Sequence, residues 1–205
     1  MDTHNLNLTY VVTVIVTLLV SMTVHEFMHG YVAHLLGDTT AKDEGRLTLN
    51  PLAHIDPFMT VLLPAATLLF FGAPILAAKP VPFNPSRVKY DEFGSAMIAA
   101  AGPLSNLVLA IAGALFLRAF TGNDFMSNTL VTFVELNVAL FVFNILPIPP
   151  LDGSRVLYAF APRPLQDLLE QIEPYGFFII IFLVLAGGFG GWLSNFNQLV
   201  LNLLP

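Results

Sequence analysis

The stretch LTYVVTVIVTLLVSMTVHEFMHGYVAHLL, residues 8–36, decides the fold of this chain. A transmembrane α-helix needs about 20 consecutive, mainly apolar residues, and this stretch exceeds that length. Lipid offers no partner to backbone N–H and C=O groups, so a segment that crosses it has to satisfy them within a helix. We therefore predict a transmembrane helix within residues 8–36.

The composition of the whole chain agrees with a membrane protein. Only 11% of its 205 residues are charged and 56% are hydrophobic, with a mean hydropathy of +0.74. A soluble domain carries about 25% charged residues, so this chain has too few to cover a water-facing surface. The net charge of -6 argues against nucleic acid as a partner, because phosphate binding needs clustered Lys and Arg. Cysteine is absent, so any metal has to be held by His and carboxylate.

Further apolar stretches follow the first, at residues 58–78, 95–120, 130–146 and 176–193. The earliest of them contains Pro64, Gly72 and Pro74, which interrupt a regular helix. We expect this stretch either to enter the membrane and return or to form a fifth segment. The sequence thus predicts one integral-membrane domain over residues 1–205. Its predicted fold is all-α, with about four transmembrane helices plus the re-entrant or fifth apolar segment.

The first stretch contains the pattern HExxH, formed by His25, Glu26 and His29. Residues four apart share one face of a helix, so both imidazoles can reach one zinc ion. The glutamate of this pattern is the expected general base for a zinc-bound water. A purely structural polar cluster is disfavoured, because each ionisable residue within a span costs about 2.5–3.5 kcal/mol on insertion scales.

A catalytic zinc ion usually has three protein ligands, so two histidines leave the site incomplete. Asp152 is the foremost candidate for the third, since it follows the proline-rich break after residue 146 and can turn inward. His34 points about 140° away from His29 around the helix. We interpret His54 as a loop residue and Glu135 as a carboxylate near the headgroups, while leaving a site role open for both.

With three motifs in view, the chain resembles the site-2 protease family of intramembrane zinc metalloproteases. The motifs are HEFMH at 25–29, AGPLSN at 101–106 and NILPIPPLDG at 144–153. The resemblance covers about residues 8–160. Within this family, the chain resembles the small members that lack a PDZ domain and a nucleotide-sensing domain.

The resemblance implies a role for each matching residue. His25, His29 and Asp152 would bind one zinc ion, Glu26 would activate the water, and Asn144 would help to hold substrate or the oxyanion. The substrate would be a transmembrane protein, cut within or near its membrane segment in regulated intramembrane proteolysis. The protein itself would be a multi-pass protein of a prokaryotic plasma membrane.

Two features of the matching segments have more than one interpretation. Asn106 either takes part in the site or makes a hydrogen bond between helices, and Pro103 is expected in the first turn of a helix. Residues 45–50 alternate between apolar and polar, which predicts a short strand in a β-hairpin near the active site. The edge of this strand would either pair with an unwound substrate or belong to a plain surface hairpin.

Two other classes of function compete with a protease. A transporter for divalent metal ions would also place His and Asp within spans, but it would be expected to show several ligand clusters and internal repeats. The second rival is a membrane binding or scaffold protein that kept the motif but lost catalysis. The complete His, Glu, His and Asp set favours the protease.

The distribution of Lys and Arg predicts the orientation of the chain in the membrane. If residues 58–78 turn back, one face holds Lys42, Arg46, Lys79, Arg87, Lys89, Arg155 and Arg163, and the other holds Arg118. The positive-inside rule favours this split, so the basic face is cytoplasmic and both termini are outside. A reporter fused at residue 88 should therefore give a cytoplasmic signal; an external signal would contradict the re-entrant arrangement.

Overall fold

The computed structural model describes residues 8–62, 79–119, 122–185 and 188–205. Within these ranges the chain is helical and contains no β-strand. The α-helices are α1 (Leu8–Leu35), α2 (Thr40–Asp43), α3 (Asp91–Ala119), α4 (Asp124–Asn144), α5 (Asp152–Phe160), α6 (Arg163–Ile172), α7 (Gly176–Leu185) and α8 (Phe189–Leu203). Short 3-10 turns cover Pro51–His54, Pro85–Arg87 and Glu173–Tyr175, and Pro57–Leu62 form a π-helical turn.

Three of these helices, α1, α3 and α4, are long and apolar enough to cross a membrane. The later helices contain one further candidate, a pair formed by Arg163–Val184 and Phe189–Leu203 that is bent by 91°. The described residues therefore contain the expected four or so transmembrane spans only if this bent pair forms a single span. Residues 63–78 lie outside the described residues, so the re-entrant segment stays a prediction.

Helix α3 packs against α1, α4 and α5 and forms the centre of the fold. Small residues let its neighbours approach closely. A Cβ built on Gly113 would lie 3.0 Å from side-chain atoms of Phe133 and Val134 on α4. Pro103 lies inside α3 and not in its first turn, because the helix already begins at Asp91. Its prediction as a helix start was wrong.

The predicted strand over residues 45–50 is absent from the structure, which shows turns and bends there. Gly45 has a φ of +67°, and the N–H groups of Arg46 and Leu47 both donate to the carbonyl of Ala41. These backbone donors close the end of α2 and are not available to a partner strand.

Asp38 connects the two polar segments that follow α1 and precede α3. Its fully buried carboxylate accepts hydrogen bonds from the Thr40 N–H at 3.0 Å and the Asn84 N–H at 2.6 Å. Burial alone would raise the pKa of Asp38, but these bonds, the Thr40 hydroxyl and the charge of Arg87 hold it below its usual value. The segment that leads into α3 is thus fixed beside the end of α1.

Candidate metal centre

Three side chains from two distant parts of the chain meet at one point. The Nε2 atoms of His25 and His29 on α1 are 3.0 Å apart. The Oδ2 atom of Asp152 lies 3.1 Å from His25 Nε2 and 3.4 Å from His29 Nε2. Within the described residues these three form the group that can hold a metal ion. The predicted ligand set is therefore brought together, although its role as a ligand set remains a prediction.

Asp152 reaches this point because the chain turns sharply after α4. Helix α4 ends at Asn144, the prolines that follow prevent another helical turn, and α5 begins at Asp152 itself. A Cβ built on Gly153 would overlap the backbone carbonyl of Ile145. Glycine at 153 thus allows the start of α5 to lie directly against the end of α4, which aims the carboxylate at α1.

The second nitrogen of each histidine ring is fixed by an oxygen acceptor. His25 Nδ1 lies 2.7 Å from Asn106 Oδ1, and His29 Nδ1 lies 2.7 Å from the carbonyl oxygen of Ile98. A carbonyl oxygen can only accept, so both Nδ1 atoms carry the proton. Each Nε2 atom then presents a lone pair to the site, which is the tautomer that a metal ligand needs.

The Asn106 amide connects the site with the helix packing around it. Its Nδ2 group donates to the carbonyl of Ser21 at 3.3 Å and to Asn137 Oδ1 at 3.1 Å. Both asparagines are fully buried. The hydrogen bond between helices is therefore present, since Asn106 joins α1, α3 and α4, while a role of Asn106 in the site stays a prediction that its contact with His25 supports. Asn137 is not among the predicted residues; its one signal in the sequence is an amide in the middle of an apolar stretch.

The donor set fits a tetrahedral zinc ion. With bonds of about 2.0–2.1 Å, ligand atoms of such an ion are about 3.3 Å apart, close to the separations between these three atoms. The site is also bounded by a residue without a side chain: a Cβ built on Gly102 would overlap His29 Nε2 and lie 2.6 Å from His25 Nε2. The space in front of the two Nε2 atoms is thus kept clear by glycine.

Glu26 lies beside this group but is not part of it. Its Oε2 atom accepts a hydrogen bond of 2.8 Å from the backbone N–H of Val81. The residue is partly buried and lines a cavity of about 500 Å³ together with His25, His29 and Asp152. The wall of this cavity is mostly apolar and includes Met22, Phe83, Leu140, Phe143, Phe177 and Ile180.

Of the other residues considered for the site, Asn144 lies at the cavity, whereas His54 and Glu135 lie outside it. Asn144 lines the cavity, where its Nδ2 group donates to the Leu140 carbonyl of its own helix at 2.9 Å. His54 is buried outside the site, and its Nε2 pairs with the Thr48 carbonyl oxygen at 2.8 Å. Glu135 is exposed on α4, nearer to the middle of that helix than the sequence suggested, because α4 begins at Asp124.

Comparison with known proteins agrees with this geometry. Residues 120–187 match Peptidase family M50. The chain is 40% identical over 184 residues to the Bacillus subtilis protein named "Putative zinc metalloprotease YwhC". The aligned region covers 83% of this chain and 80% of that protein. It is 30% identical over 195 residues to "Putative zinc metalloprotease Rip2" of Mycolicibacterium smegmatis, covering 90% and 72% of the two chains. No solved structure matches.

The fold and the site define a class, the metallopeptidases carried on apolar helices that can cross a membrane. Within that class, the chain belongs to peptidase family M50 and is a zinc metalloprotease. The resemblance to the site-2 protease family is thereby confirmed. Zinc as the cofactor is confirmed by the names of the relatives together with the His25, His29 and Asp152 group.

Proposed function

We propose that this protein hydrolyses peptide bonds within or near the transmembrane segments of membrane-protein substrates. The observation that carries this proposal is the position of the donor group. His25, His29 and Asp152 open into a cavity with mostly apolar walls, formed in part by the candidate spans α1, α3 and α4. A site of this kind suits an apolar substrate segment better than a soluble loop. The bilayer around it would be a prokaryotic plasma membrane, which the chain crosses several times.

His25, His29 and Asp152 would hold the zinc ion through Nε2, Nε2 and a carboxylate oxygen. When bound, zinc polarises a carbonyl and lowers the pKa of a water molecule. Glu26 accepts the proton of the attacking water and later delivers it to the leaving amine. The hydrogen bond of Glu26 Oε2 to Val81 leaves the other oxygen, Oε1, available for this proton.

Asn144 would act on the substrate. It is positioned at the last turn of α4 and lines the same cavity as the metal group. An amide donor near the carbonyl that is attacked stabilises the negative charge that develops there. In the present structure this amide donates to Leu140, so the proposed role requires the side chain to exchange that bond for one to the substrate.

A reconstituted system tests the proposed function. The purified protein in lipid vesicles should cleave a single-span substrate within or next to its membrane segment, as measured by the masses of the products. Removal of zinc with a chelator should stop cleavage, because without the metal nothing polarises the carbonyl or lowers the pKa of the attacking water. Added zinc should restore cleavage. A soluble fusion that carries the same target sequence serves as the control. Cleavage that persists without zinc, or that is confined to the soluble fusion, would contradict the proposal.

A further inference from the structure

Arg46 is a buried cation with an unusual set of partners. Its side chain is only 7% exposed, and its terminal nitrogen donates to the carbonyls of Lys79 at 2.7 Å and Pro80 at 3.3 Å. Arginine is almost never buried unless it is paired. Among the ion pairs of the described residues none involves Arg46, so backbone carbonyls compensate its charge. These bonds fix the position of one segment of backbone.

The segment that Arg46 holds lies between two further attachments. Lys79 N–H donates to the carbonyl of His54 at 3.1 Å, and Asn84 N–H donates to Asp38 at 2.6 Å. Pro80 and Pro82 have no N–H group. Val81 lies between these two prolines and has an N–H group, which donates a hydrogen bond to Glu26.

The same segment packs directly on α1. A Cβ built on Gly30 would lie 3.0 Å from the Val81 side chain and 3.2 Å from the Ala41 side chain. Gly30 is one helical turn beyond Glu26, so Val81 contacts α1 at the level of the catalytic motif. The absence of a side chain at Gly30 allows the backbone of Val81 to come within hydrogen-bond distance of Glu26.

We propose that Arg46 is a positioning residue for Glu26 and acts through the Val81 backbone. Arg46 fixes the carbonyls of residues 79 and 80, the fixed segment aims the Val81 N–H at Glu26 Oε2, and this bond sets the direction of the carboxylate. Arg46 itself does not touch the substrate or the metal group. The inference rests on the proposed function, in which Glu26 carries the proton.

The expected effect follows from the geometry that proton transfer requires. A general base has to lie within hydrogen-bond reach of the proton that it takes, and its contribution to the rate is typically 10²–10⁴-fold. Misplacement of a reacting group by about 1 Å can cost about 10²-fold. Loss of the Val81 bond should therefore lower kcat by about 10–100-fold. It should leave KM within about threefold, because the metal group and the part of the cavity wall that α1, α3 and α4 form are unchanged.

Two pairs of variants test this assignment in the reconstituted protein, with zinc content and thermal stability measured for each. Val81→Pro removes the N–H group in a segment that already contains Pro80 and Pro82, while Val81→Ala keeps the N–H group and shortens the side chain. Arg46→Met removes the guanidinium, while Lys42→Met removes an exposed positive charge from the same polar block. Arg46→Lys should restore part of the activity by retaining one donor.

We expect Val81→Pro and Arg46→Met to lose kcat with normal zinc content, Val81→Ala to lose less than Val81→Pro because it keeps the N–H group, and Lys42→Met to stay near the wild type. The double variant Arg46→Met, Val81→Pro should lose little more kcat than Val81→Pro alone, since both changes act on the same hydrogen bond between Val81 and Glu26. If Arg46→Met fails to fold, Val81→Pro decides the question. Normal kcat in Val81→Pro or in a folded Arg46→Met variant, or a change confined to KM, would overturn the proposal. Failure of the proposed function is distinguishable, because the wild type itself would then not cleave.

Discussion

Glu26→Gln is expected to lower peptide hydrolysis by about 10²–10⁴-fold while the protein keeps its zinc. The glutamine amide has the shape of the carboxylate but cannot accept and return a proton. Its neighbours His25 and His29 retain their Nδ1 partners, Asn106 and the Ile98 carbonyl, so the metal ligands stay in place. Single-turnover cleavage in vesicles and metal analysis of the same sample measure both outcomes.

Glu135→Gln is the matched control for this variant. It replaces an exposed carboxylate on α4 that lies outside the cavity, so cleavage should stay at the wild-type level. Unchanged cleavage by Glu26→Gln would remove Glu26 from the role of general base. Loss of zinc together with cleavage would instead assign Glu26 to metal binding.

Gly102→Ala should disable the metal centre without replacing any of the proposed ligands. Its new methyl group would overlap His29 Nε2 and lie 2.6 Å from His25 Nε2, which is the space in which a metal ion has to be bound. Loss of a hydrogen bond to a ligand typically costs 10–100-fold in metal affinity. A methyl group against two donor atoms should weaken zinc binding by at least about 100-fold and remove activity to the same extent.

The control for Gly102→Ala is Gly113→Ala on the same helix. That methyl group would meet Phe133 and Val134 of α4 at 3.0 Å, so it should affect helix packing and leave zinc binding unchanged. Zinc titration monitored by metal analysis separates the two variants. Equal zinc affinity in Gly102→Ala and the wild type would show that the two histidines do not bind the metal through their Nε2 atoms.

Local patterns made the centre of the site predictable. His25 and His29 are one turn apart on a helix, so their spacing alone places both rings on one side. Asp152 follows a proline break, and its motif resembles that of a known family. The partners Asn106 and Val81 are 81 and 55 residues from the side chains that they contact, and no local pattern shows that they meet. Such contacts depend on how α3 and the segment before it pack against α1.

The interpretations that failed share a physical reason. The alternation of apolar and polar residues at 45–50 is typical of a strand, but the N–H groups of Arg46 and Leu47 already donate to the Ala41 carbonyl. Pro103 is typical of a helix start, yet apolar packing continues α3 through it. In both cases the contacts of the folded chain outweighed a preference expected from residue type, which is about 1 kcal/mol for a strand and about 3 kcal/mol against a proline inside a helix.

The Asn106 amide has a consequence for how this protein can change over evolutionary time. Its oxygen accepts a hydrogen bond from His25 Nδ1, and its Nδ2 group donates to α1 and to α4. A substitution at Asn137, in the apolar interior of α4, therefore reaches the metal through a single intermediate side chain. The packing of α4 against α1 and the orientation of the His25 ring thus share one amide, so natural substitutions at Asn137 are expected to affect both.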